Sequence, residues 1–181
     1  MVSGQPTLTT ERLLLRPFDL ADAPSVQRLA GDRAIADTTI AIPHPYPDGA
    51  AEEWIATHST KYAGGTQAAF AITLRAEGTL VGAIGLLVLP AHRLAELGYW
   101  IAVPYWSRGF ATEAGGTVLA FGFGEMRLNR IQAHHFTRNP ASGRVLAKIG
   151  MRLEGIHRQS LRKWDAFEDV AQYAILLADR R

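Results

Sequence analysis

Ala95-Glu96-Leu97-Gly98-Tyr99-Trp100-Ile101-Ala102-Val103-Pro104-Tyr105-Trp106-Ser107-Arg108-Gly109-Phe110-Ala111-Thr112-Glu113-Ala114 is the stretch from which the rest of the chain can be read. Its first part alternates and is rich in aromatic and branched side chains, which reads as a strand. Pro104 ends the ladder because it has no N–H to give. From Ala111 onward, small and apolar residues at 111, 114, 118 and 122 mark one face of a helix. Between them lies a short loop, Trp106 to Phe110. A loop that feeds a helix start leaves backbone N–H groups unpartnered at the positive end of the helix dipole, a site matched to phosphate or pyrophosphate. Gly109 removes the side chain where a ligand would touch backbone, and Arg108 adds a charge able to fork onto phosphate oxygens. A glycine at such a turn can equally serve the turn alone.

The chain has 181 residues, enough for one domain (1–181) with a substantial core. Hydrophobic content of 48% with 20% charged residues is an ordinary globular mix. The opening Met1-Val2-Ser3-Gly4-Gln5-Pro6 lacks the basic start and apolar core of a secretion signal. The longest apolar run, near Ala83 to Ala91, is broken by Gly85 and Pro90 and is too short for a bilayer. A cytoplasmic protein without membrane contact is expected. With no cysteine, disulfides, thiolate metal sites and a cysteine nucleophile are excluded, so no acyl group can rest on a thiol of this chain. The net charge of +2 is uneven: residues 127–181 carry 11 Lys and Arg against 5 Asp and Glu. A basic C-terminal third suits a polyanionic ligand. There is no dense basic run with interleaved aromatics, so direct nucleic-acid binding is not expected.

Leu13-Leu14-Leu15-Arg16 reads as an opening strand, and Asp19 as the cap of a helix bearing Ala23, Val26, Leu29 and Ala30. Residues 31–50 look like loop, stiffened by Pro43, Pro45 and Pro47. Asp48 can cap a helix presenting Ala51, Trp54, Ile55 and His58, which Gly64-Gly65 ends. A hairpin follows (68–74 and 80–89, turning at 75–78), and a third strand at 93–103 completes a meander. After the helix comes a strand at 130–136. The next helix is punctuated by Asn139 as cap, Pro140 at its first position and Gly150 past its end. Strands near 152–159 and 170–177 close the chain. The expectation is a mixed α/β fold: a mostly antiparallel sheet of about six to seven strands with about four helices.

Leu97-Gly98-Tyr99-Trp100-Ile101, Tyr105 through Ala114, and Asn139-Pro140-Ala141-Ser142 with Lys148-Ile149-Gly150-Met151 together resemble the GNAT superfamily of acetyl-CoA-dependent N-acetyltransferases. The likeness is narrower to its RimJ/RimL branch, which includes acetyltransferases of ribosomal-protein N-termini. It covers nearly the whole chain, including Thr10-Glu11-Arg12-Leu13 and Pro45-Tyr46-Pro47. The resemblance implies a splay between the strands at 93–103 and 130–136, and acetyl-CoA as cofactor with no metal. Backbone N–H groups of Arg108, Gly109, Phe110, Ala111 and Thr112 would hold its pyrophosphate. The strand around Ile101 and Val103 would pair with the pantetheine arm like an added strand. In the pyrophosphate loop Trp106 takes the first position and Ser107 stands where glycine is frequent. Asn139, besides capping its helix, would meet the cofactor. Ser142 would lie near the coenzyme sulfur and donate a proton to the departing thiolate, where many superfamily members use tyrosine. Many relatives pair as dimers, so the resemblance allows a homodimer, while the sequence leaves the oligomeric state open.

Glu96 alternates onto the strand face opposite Leu97 and Tyr99 and is the best general-base candidate, acting through water. An α-amine with a pKa of about 7.8 is roughly one-seventh neutral at pH 7, whereas lysine at about 10.4 is neutral to less than about 0.1%. An ordinary glutamate suffices for the first, which tilts the acceptor toward an α-amine or another weakly basic substrate. His134 and His135 fall on opposite faces of one strand, so at most one is expected to point into a site. Tyr46, Trp54 and the proline-stiffened loop would wall the acceptor site, with Glu96. No His/Asp/Glu set has metal-ligand spacing. Gly122-Phe123-Gly124 follows a helical pattern instead of a strand and is not a dinucleotide fingerprint. The acceptor stays open between a protein N-terminus and a small-molecule amine such as a polyamine, amino acid or antibiotic. A non-catalytic acyl-CoA-binding regulatory module is the alternative from another class.

Overall fold

The computed structural model describes residues 4–180, and its eight strands form one sheet. The strands are β1 (Leu8–Thr9), β2 (Leu13–Arg16), β3 (Gln67–Leu74), β4 (Leu80–Leu89), β5 (Leu94–Ile101), β6 (Arg130–Phe136), β7 (Arg152–Lys163) and β8 (Ala166–Leu176). The helices are α1 (Ala23–Ala30), α2 (Arg33–Thr38), α3 (Ala50–Ala56), α4 (His58–Ala63), α5 (Phe110–Gly124) and α6 (Pro140–Lys148). Strand order is β1-β2-β3-β4-β5-β6-β8-β7, antiparallel throughout except at β5–β6. That parallel pair holds for three rungs only, Leu94–Arg130, Ala95–Ile131 and Glu96–Gln132, after which the strands part. The expected splay is there, and Glu96 sits on the last rung before it.

Each face of the sheet has its own core. On one side α5 and α6 lay Phe110, Ala114, Val118, Phe121 and Leu146 against Leu13, Leu15, Phe70, Ile84, Leu86, Leu97 and Ile131. On the other, α1, α2 and α3 bury Ala23, Val26, Ile35 and Ile55 against Ala71, Ala83 and Trp100. Strands covered on both faces cannot alternate polar with apolar, which is why β3 and β4 read as near-continuous apolar runs.

Several local expectations need correction. Asp19 caps a 3-10 turn, Leu20–Asp22, through a reciprocal pair with Asp22, and α1 follows from that turn. Residues 31–50 are not all loop: Asp32 accepts from the Ala34 N–H and starts α2. Asp48 does not cap the next helix. Its carboxylate takes the Gln27 amide, and α3 starts from Gly49 in the left-handed region. The helix carrying Trp54 and His58 is two short ones, α3 and α4, joined at Thr57. With α2 and the short β1, these breaks make six helices and eight strands where about four and six to seven were expected. The end of the chain is a longer hairpin than expected, β7 and β8 turning at Trp164-Asp165.

Candidate active site

A cavity of ≈ 1040 Å³ follows the splay from the α5 N-terminus to the loop at 38–46. At its α5 end the chain makes the helix entry with two left-handed residues, Ser107 at φ 61° and Gly109 at φ 80°. Glycine adopts that conformation freely; Ser107 does so at a cost, which explains why glycine suits its position. The first N–H to find a helical acceptor is that of Glu113, on the Gly109 carbonyl at 3.1 Å. The amides of Phe110, Ala111 and Thr112 precede it and carry the partial positive charge of the helix end. The turn is clamped from outside. Glu113 accepts from Thr10 Oγ1 (2.6 Å), from the Arg12 amide (2.9 Å) and from Arg12 Nε (2.7 Å), while Arg12 Nη1 donates to the Arg108 carbonyl at 3.0 Å. The Arg12 guanidinium also lies over the Phe110 ring. Burial alone would raise the Glu113 pKa; the bonds from Thr10 and Arg12 outweigh it and hold the carboxyl below its usual range.

The strand edge beside the splay follows from the ladder. Ala102 N–H donates to the Val81 carbonyl, so the even residues of β5 bond toward β4. Leu97, Tyr99 and Ile101 therefore turn their backbone groups to the gap. The last rung to β6, Glu96–Gln132, uses the Leu97 N–H, and the Ile101 carbonyl is taken by the Trp106 indole N–H. This leaves the Leu97 carbonyl, the Tyr99 backbone groups and the Ile101 N–H for an incoming strand-like ligand. Val103 lies past the strand end in a 3-10 turn and packs into the core beneath α1–α3, away from the cavity. Arg108 is also outside the cavity lining, its guanidinium resting over the Tyr105 ring. Val103 is therefore not on the strand where the sequence placed it, while the Arg108 backbone stays in the turn between Ser107 and Gly109, both of which line the cavity.

At the middle of the splay, Asn139 caps α6 by accepting from the Ser142 N–H at 3.3 Å. Ser142 Oγ stands 2.7 Å from Tyr99 Oη. Burial pushes the Tyr99 phenol up to about 12, against a smaller downward pull from Ser142, so it keeps its proton at neutral pH. Across the gap, on the opposite face, Glu96 Oε1 is 3.4 Å from His134 Nδ1. Both histidines of β6 border the cavity, where at most one was expected. His135 is buried; its Nδ1 lies 2.7 Å from the Phe136 carbonyl, and its ring packs so closely on α6 that a Cβ at Gly143 would meet Nε2 at 2.7 Å.

The far end of the cavity is walled by Ile40, Ile42, Pro43, Tyr46, Trp54 and Trp100. This wall is strapped down from the other end of the chain. Lys163, 6% exposed, donates to the Ile42 carbonyl at 2.9 Å. Arg138 bonds the Asp37 carboxylate (3.0 Å), the Asp37 carbonyl (2.7 Å) and Glu168 (2.8 Å).

The profile of the acetyltransferase (GNAT) domain family matches residues 12–152. The chain belongs to the GNAT acetyltransferases. This GNAT protein is 33% identical over 170 residues to the uncharacterized N-acetyltransferase YnaD of Bacillus subtilis, covering 93% of this chain and 96% of that one. Its fold matches a GNAT-family acetyltransferase from Bacillus anthracis with a TM-score of 0.83 at 29% identity, covering 94% and 98% of the two chains. It also matches Mycobacterium smegmatis RimJ in complex with CoA-disulfide, with a TM-score of 0.86 at 26% identity over 97% and 89%. It is an acetyl-CoA-dependent N-acetyltransferase.

The residues of this GNAT site fit CoA: free amides at a helix start, an unpaired strand edge and a cavity that runs between them. Ile101, Gly109, Phe110, Ala111, Thr112, Asn139 and Ser142 are brought together on that cavity, and Tyr46, Trp54 and Glu96 line its acceptor side. Sequence reasoning missed Tyr99, although strand alternation already put it on the face opposite Glu96; the structure places that face against α6. It also missed Arg144 and Lys148, one turn apart on α6 and both lining the cavity; the basic C-terminal third was their signal. Among the described residues no group of three or more His, Asp or Glu could hold a metal ion, and no helix is long and apolar enough to cross a membrane.

Proposed function

We propose that the acceptor is a single α-amine at the end of a peptide or protein chain, and that Glu96 and Ser142 handle its protons. The observation that carries this is the charge of the cavity lining. Among the described residues Glu96 is its only carboxylate, and the apolar wall of Ile40, Ile42, Trp54 and Trp100 lines the same cavity. A polyamine with several positive charges would need several acidic partners; one carboxylate matches one amine. The groove is also open on its Leu87 side, where that side chain is 56% exposed, so the acceptor's continuation has a way out.

Acetyl-CoA brings the activated thioester. The amides of Phe110, Ala111 and Thr112 bind the pyrophosphate, with Arg144 and Lys148 facing it from α6. Leu97 and Tyr99 offer the backbone groups that align the pantetheine arm, and orientation of this kind supplies much of the rate. Glu96 takes the amine proton through water, with His134 positioned against its carboxylate. Ser142 Oγ, at the N-terminus of α6, holds the proton destined for the sulfur, and Tyr99 Oη holds a second proton behind it. A panel of tripeptide amides, spermidine, free amino acids and an aminoglycoside, read by mass spectrometry for a single added acetyl group, tests the reading. Preferential turnover of the peptides supports it. Preferential turnover of spermidine overturns it, and CoA binding without release for any acceptor points to the non-catalytic module.

A further inference from the structure

On the acceptor face the sheet is built in cross-strand rows. Gln67, Leu87 and Glu96 form one row, Ala69, Gly85 and Gly98 the next, and Ala71, Ala83 and Trp100 the third. Helices α1–α3 bury the third row, but Gly98 is exposed although it lies on a central strand. The middle row, nearly free of side chains, is thus a trench floor between Glu96 and Leu87 on one bank and Trp100 on the other. Rows on one face are about 6.8 Å apart, so the banks stand about 14 Å apart at their Cα atoms, room for one extended chain. Ala69 is buried, so the open floor is Gly98 and Gly85 on two strands about 4.8 Å apart, room for roughly one to two residues of an extended peptide.

The two glycines of this floor are there for different reasons. A Cβ at Gly85 would meet the Ala68 carbonyl oxygen at 2.7 Å, so close backbone approach requires glycine. A Cβ at Gly98 would meet nothing within 4 Å, and Gly98 is not among the residues with positive φ. Glycine inside a strand is destabilising by about 0.5–1 kcal/mol against alanine, so its presence without a steric reason needs another cause.

We infer that Gly98 is a specificity-determining residue: its missing side chain lets the part of the acceptor that follows the amine cross the sheet over Gly98 and Gly85, with its first side chain against Leu87. This rests on the acceptor reading above. A side chain at 98 projects into the trench, while its backbone stays bonded to β4 and leaves the CoA edge at Leu97 and Tyr99 alone.

The test is Gly98→Val, with Gly98→Ala as the intermediate step, assayed on glycinamide and on a tripeptide amide with the same N-terminal residue. The ratio of kcat/KM for the tripeptide to that for glycinamide is expected to fall about tenfold or more in Gly98→Val and less in Gly98→Ala. Thermal melting checks that the variants fold; valine suits the strand, so Tm is expected to hold or rise. An unchanged ratio in a folded variant overturns the inference. If wild type ignores α-amines but turns over alkylamines, the acceptor reading fails by itself, and the same contrast between short and long alkylamines decides the trench. A wild type that turns over neither overturns both.

Discussion

Glu113→Gln separates the clamp on the CoA loop from the loop itself. Glu113 Oε1 accepts from Thr10 and from the Arg12 amide, and Oε2 accepts from Arg12 Nε and pairs with Arg12 Nη2 at 2.6 Å. Glutamine keeps the first pair of bonds and turns an NH2 toward the guanidinium, so it loses the two charge-assisted ones. Such bonds are worth about 1.5–3 kcal/mol when buried, but Arg12 is nearly half exposed, which brings the loss to about 1.5 kcal/mol. For a chain of this size that is a fall in Tm of about 3–6 °C. Urea denaturation at pH 7 should show the loss as a lower midpoint at unchanged slope. The pH dependence is the sharper arm. Glu113 is held below its unfolded value of 4.5, so its contribution is complete above that pH and disappears as pH falls through the folded value. The gap between wild type and variant should therefore close in acid. A variant with the wild-type midpoint at pH 7, or a gap that does not narrow as pH falls below 4.5, would refute the clamp.

Ser142→Ala is expected to lower kcat by about a hundredfold with little change in the acetyl-CoA KM, and Tyr99→Phe by about tenfold. Because the two hydroxyls act as one unit, the double variant should be no slower than Ser142→Ala alone, which steady-state kinetics can read directly. Lys163→Met removes the strap on the Ile40–Ile42 wall, and a loosening of about 1 kcal/mol would raise the acceptor KM about fivefold. An equal rise in the acetyl-CoA KM would show that the strap holds the whole fold instead of the acceptor wall. His58 is buried among Phe18 and Trp54 with both ring nitrogens unpartnered, and burial, aided by Lys61, pushes its pKa down to about 4. A depressed histidine favours unfolding in acid, so stability should fall as pH drops from about 6.5 toward 4. His58→Leu should flatten that slope in chemical denaturation.

The element sequence around the site was legible because β5, α5 and α6 carry their own punctuation: Pro104, Gly109, Asn139, Pro140 and Gly150 each stop or start an element through local chemistry, whereas the splay came only with the family resemblance. The acceptor side was less so. α2 hides in a proline-rich stretch because its cap, Asp32, precedes only six helical residues. Val103 reads as strand, yet the Ala102 N–H bond to Val81 ends the ladder and the chain turns into 3-10 geometry. Lys163 and Arg138 contact the segment at 37–42 from about a hundred residues or more away, and no local pattern announces such a pairing.

Three rungs between β5 and β6 have a mechanical consequence. The N-terminal five strands and the C-terminal three meet across a seam held by little backbone hydrogen bonding, with α5 and α6 packed behind it. A coenzyme wedged into that seam acts as mortar between two half-sheets. Occupancy should then slow amide exchange on both flanks together, so that the protein in the presence of its acetyl donor ages as one body instead of two.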